Sequence, residues 1–82
     1  MAEKEVLFKS EESKTRGEIA AFLRQIAEKV ETGVVSLTQG EREVVLNLPE
    51  NLILEIKAER KVKPEKSKHS LEIEIEWRGE TA

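Results

Sequence analysis

From Leu71 to Arg78 apolar and charged residues alternate without a break. Leu71, Ile73, Ile75 and Trp77 fall on one side, and Glu72, Glu74, Glu76 and Arg78 on the other. A period of two predicts a strand, here running from His69 to Arg78, with one face on a core and one in water. Leu52 to Val62 repeats the pattern: Leu54, Ile56 and Ala58 follow Leu52 on the inner face, while Glu55, Lys57, Glu59 and Lys61 face out. Ile53 is an apolar exception on the outer side. Each apolar side chain removed from water is worth about 1.5–3 kcal/mol. These two strands therefore supply much of the predicted core.

Three shorter strands complete the β pattern. Residues 4–10 place Val6 and Phe8 inside. Val34 to Leu37 places Val35 and Leu37 inside, and Glu43 to Leu48 does the same for Val44, Leu46 and Leu48. Gly40 stands in the turn between the last two, where positive φ is often needed, and Pro49 ends the second, having no amide for a ladder.

Between residues 10 and 34 the period changes to that of a helix. Ile19, Phe22, Leu23, Ile26, Ala27 and Val30 recur at steps of three and four, giving one apolar stripe. Thr15 and Glu18 have capping-box spacing at its start, and Gly33 stands where a left-handed cap residue ends a helix. Gly17, in the first turn, costs up to about 1 kcal/mol relative to alanine. The predicted fold is α+β, in the order β-α-β-β-β-β. A single helix packs on one face of a largely antiparallel five-stranded sheet, whose charged face meets solvent. Its predicted core is Phe8, Ile19, Phe22, Leu23, Ile26, Val30, Leu54, Ile56, Leu71, Ile73, Ile75 and Trp77. One domain is expected over 4–78, with disordered ends at 1–3 and 79–82.

Composition narrows the function classes. The chain has 82 residues, 38% of them apolar and 38% charged, with a net charge of −3. So mild a balance does not demand nucleic acid, an anionic membrane or a cationic partner. Cysteine is absent, which removes disulfides, thiolate metal sites and cysteine nucleophiles. With no signal-peptide pattern at the N-terminus and no membrane-length apolar run, a soluble cytoplasmic protein is expected.

Two stretches together resemble a known family. One is the capped helix Thr15–Gly33, followed by a valine-rich strand. The other is the amphipathic Leu71-Glu-Ile-Glu-Ile-Glu-Trp77. In order and spacing they are similar to the amphi-Trp domain family, small prokaryotic domains named for that final strand and its tryptophan. The resemblance runs from about Val6 to Trp77, and the basic run Lys61–Lys68 departs from its pattern. It implies a fold rather than a role, and brings no activity, cofactor or catalytic residue with it.

Each candidate for chemistry has a plainer reading beside it. His69 is the only histidine; without cysteine it makes no convincing zinc site and is read as an ordinary strand residue. Glu72, Glu74 and Glu76 beside Glu55 offer a loose cation site or an acid–base pair, but acid–base work needs a carboxyl shifted by burial or a fixed partner. They are read as a solvated face. The serines have no base and orienting group about them, and the four glycines form no phosphate loop. No enzyme, metal or cofactor is therefore expected.

The basic stretch Arg60, Lys61, Lys63, Lys66, Lys68 and His69 suits phosphate contact, yet no aromatic side chain stands ready to stack bases. The leading expectation is a small non-enzymatic protein-interaction or structural module, self-associating as a homodimer or binding another protein. Its contact would be a sheet edge or the outer face carrying Glu55, Lys57, Glu72, Glu74 and Glu76, or an apolar patch of Leu7, Val45 and Ile53. The alternative is nucleic-acid or anion binding through the loop 60–69.

Overall fold

The computed structural model describes residues 3–79, and its regular elements are one helix and four strands. They are α1 (Arg16–Thr32), β1 (Val34–Gln39), β2 (Arg42–Asn47), β3 (Ile53–Val62) and β4 (Ser67–Glu76). The class is α+β as expected, but the strands form two separate antiparallel pairs, β1–β2 and β3–β4. The chain divides into two compact units, Met1–Leu48 and Pro49–Ala82. Of the ends expected to be disordered, residues 1–2 and 80–82 lie outside the described residues.

The five-stranded sheet is corrected at its first strand. Residues 4–10 carry no strand, because alternation alone does not supply a ladder partner. β1 and β2 pair with each other, and a side chain has taken one of this segment's acceptors: the Arg42 guanidinium donates to the Leu7 carbonyl at 3.0 Å.

In the first unit the helix ends are set by local chemistry. The Glu18 amide donates to the Thr15 hydroxyl at 3.2 Å, and the Thr15 amide donates to the Glu18 carboxylate at 3.0 Å. At the other end Gly33 has φ 87°, and its N–H reaches the carbonyls of Lys29 and Val30. Its own carbonyl accepts from Leu48 at 2.8 Å, which draws the end of the β1–β2 hairpin to the helix terminus. Gly40, at φ 61°, is the first central residue of the turn joining Gln39 to Arg42, the position at which a II′-type hairpin turn needs glycine.

The β1–β2 register sets Val35 opposite Leu46 and Leu37 opposite Val44, so the predicted inner residues do share one face. Helix α1 lies against β1, and the Lys29 ammonium donates to the Ser36 carbonyl at 2.9 Å. Val35, 6% exposed, is the buried hydrophobic residue of the described chain.

The expected core is otherwise corrected. Phe8, Ile26, Val30, Ile75 and Trp77 are half-buried, whereas Ile19, Phe22, Leu23, Leu54, Ile56, Leu71 and Ile73 are exposed. One helix over two strands covers one stripe of each in the first unit, and the second unit, a two-stranded hairpin, supplies no second layer of its own. Trp77 also falls outside β4, which begins at Ser67 and ends at Glu76. Leu7, Val45 and Ile53 are all exposed. Among the described residues no helix is long and apolar enough to cross a membrane.

Candidate interaction surface

Nearly all the side chains singled out in the sequence as possible contacts lie on one element pair, the β3–β4 hairpin. Its register runs from Ile53 opposite Glu76 to Val62 opposite Ser67. The turn between is Lys63-Pro64-Glu65-Lys66, closed by the Lys63 amide donating to the Lys66 carbonyl at 2.9 Å. Proline in the second position suits such a turn, since its fixed φ matches the site.

Opposed residues of an antiparallel pair point to the same side. One face therefore carries Leu54 with Ile75, Ile56 with Ile73 and Ala58 with Leu71, and gives way toward the tip to Arg60 with His69. Three apolar cross-strand pairs in succession are what lock the register, because a slip of one residue would turn them to the polar side. The face is open: Leu54 is 62% exposed, Leu71 68% and Ile73 50%.

The other face carries charge, arranged by the register in a way the sequence did not disclose. Glu55 stands opposite Glu74, Lys57 opposite Glu72, Glu59 opposite Ser70, and Lys61 opposite Lys68. Only Lys57 and Glu72 form a directly opposed pair of unlike sign. Even there the Lys57 ammonium turns along its own strand, 3.5 Å from the Glu59 carboxylate, and an exposed pair of that kind is worth at most about 1 kcal/mol. Like charges facing each other across a ladder are destabilising. Opposite charges thus seldom pair across the hairpin, since the apolar face sets the register and the charges follow.

The structure brings Glu55, Lys57, Glu72 and Glu74 around one shallow, open depression. Toward the tip it gathers Arg60, Lys61, Lys63, Lys66 and Lys68 with His69, whose Nε2 lies 3.1 Å from the Ser67 hydroxyl. Lys68 and His69 belong to β4 itself rather than to a loop. Among the described residues no three His, Asp or Glu side chains converge closely enough to hold a cation. In the first unit, Phe8, Ile19, Phe22 and Leu37 line an open concavity between α1 and β1.

Compared with known proteins, residues 1–82 match the family model described as the Amphi-Trp domain. No curated protein and no solved structure matches the chain.

Proposed function

We propose, starting from a chain that belongs to the amphi-Trp domain family over its whole length, that it is a non-enzymatic interaction module whose contact surface is the β3–β4 hairpin. One observation carries this reading. The second unit is by itself a two-stranded hairpin with a continuous apolar face, and among the described residues of that unit nothing covers the face and neither outer edge has a ladder partner. An isolated hairpin is marginal in water, and stability requires more strands or a covering layer. Free edges offer backbone donors and acceptors to an added strand. A polypeptide partner, the chain itself included, supplies both.

Amide hydrogen exchange on the intact chain tests this. Protection of β3 and β4 should rise with protein concentration or on adding the partner. A hairpin already fully protected at the highest dilution, and unchanged thereafter, would rule the surface out.

A second reading rests on its own observation. The register holds Lys61 against Lys68, with Arg60 beside them and Lys63 and Lys66 at the turn, so positive charges gather at the tip. A bound phosphate would relieve that repulsion. This supports nucleic-acid or anion contact through Arg60, Lys61, Lys63, Lys66 and Lys68. Titrating labelled protein with short mixed DNA and RNA should then shift the tip resonances and lose affinity steeply with salt. A flat titration at low salt removes this reading.

A further inference from the structure

The outward charges of β3 are poorly matched to its neighbour β4 and well matched to a second β3. Along that face the strand reads Glu55, Lys57, Glu59, Lys61. Set antiparallel to a copy of itself with Ala58 opposite Ala58, it places Glu55 against Lys61, Lys57 against Glu59, Glu59 against Lys57 and Lys61 against Glu55. Each of these four charges then meets one of unlike sign. Resting on the hairpin reading above, we propose that the occupant of the free β3 edge is a second copy of this chain. The two strands pair about a two-fold axis at Ala58, and two hairpins become one four-stranded sheet in the order β4-β3-β3-β4.

Three features select this arrangement. The first is register. Moving the axis to Lys57 or Glu59 sets that residue against its own copy. Moving it to Arg60 opposes Lys57 to Lys63, and moving it to Ile56 leaves only the Glu55–Lys57 pairs in place. The second is the face. A two-fold axis normal to the sheet keeps like faces together, so the apolar sides of both hairpins join. Leu54 then lies against Val62, and Ile56 against the stem of Arg60. The third is the edge. Lysines on an exposed edge ordinarily repel a like edge, whereas here each meets a glutamate. β4 selects no single register by charge, because Glu74 faces Lys68 in a self-pairing about Leu71 and Lys66 in one about Ser70.

The chain has no cysteine, so a single introduced thiol can form a disulfide only between copies. In the intact chain Ala58→Cys should oxidise readily to a covalent dimer. Opposed Cα atoms of an antiparallel pair lie about 4.5–5.5 Å apart, within disulfide reach. Lys57→Cys should cross-link far more slowly, since its copy would be two positions out of register and about 8 Å away.

Charge provides the second test. Lys57→Glu with Lys61→Glu, or Glu55→Lys with Glu59→Lys, should raise the dimer Kd at least about tenfold. Mixing the two variants should restore a one-to-one pair, and reversing all four charges should preserve the dimer. A native chain that sediments as a monomer up to several hundred micromolar (on the order of the weakest specific dimers) overturns the second copy as occupant. The exchange experiment above judges the hairpin reading separately. A dimer indifferent to these charges, and cross-linking no faster at position 58 than at 57, overturns the edge.

Discussion

At the scale of single residues, the helix ends are where covalent chemistry dictates structure most directly. The Thr15 amide donates to the Glu18 carboxylate, and that contact, with the threonine hydroxyl, holds the carboxyl below its ordinary value of 4.5. A lowered pKa in the folded state means stabilisation that is complete above the unfolded value and lost as pH falls through the folded one. The melting temperature of Glu18→Gln should therefore lie below the native one at neutral pH. The two should converge as pH drops from 4.5 through the lowered value. Curves that stay parallel into acid would show that the carboxylate's charge plays no part. The two glycines of this helix should respond in opposite directions. Gly33 has φ 87°, so Gly33→Ala should cost about 1–2 kcal/mol in denaturant unfolding. A Cβ at Gly17 would meet nothing within 4 Å, and Gly17→Ala should stabilise by up to about 1 kcal/mol. Both caps were legible in the sequence because every partner lies within four residues.

At the scale of elements, legibility falls as the partner moves away in sequence. Alternation identified which side chains of β3 and β4 share a face, and the two hairpins that follow α1 were foreseen as strands. It carried no information about which strand meets which. The segment 4–10 has two alternating apolar residues, Val6 and Phe8, and no ladder, and the predicted sheet loses its fifth strand there. Register was equally hidden. The stretch Arg60–His69 read as a basic loop, yet only Lys63–Lys66 form the turn, and Lys68 faces Lys61 inside the ladder. That opposition makes a prediction of its own. Lys68→Glu converts a like pair to an unlike one and should stabilise the hairpin by roughly 0.2–1 kcal/mol, seen as slower amide exchange in β3 and β4. The same substitution should weaken any phosphate contact at the tip. A hairpin loosened by Lys68→Glu would show that the register is not held as described.

At the scale of the whole molecule the question is what covers apolar surface. Sequence periodicity says that Leu54, Ile56, Leu71 and Ile73 want a common side, but not whether that side meets the same chain or another. Two substitutions to aspartate separate a closed site from an open one. Val35 is 6% exposed beneath α1, so Val35→Asp buries an unpaired charge and should cost several kcal/mol, abolishing the cooperative helix melt. Ile73 is 50% exposed, so an aspartate there keeps much of its hydration. In dilute solution Ile73→Asp should melt within a few degrees of the native chain. Its effect should appear when a partner covers that face, as loss of the partner-dependent protection of β3 and β4, because covering would then strip water from a charge with no partner. An Ile73→Asp chain that fails to fold even when dilute would mean that the face is already closed before any partner arrives.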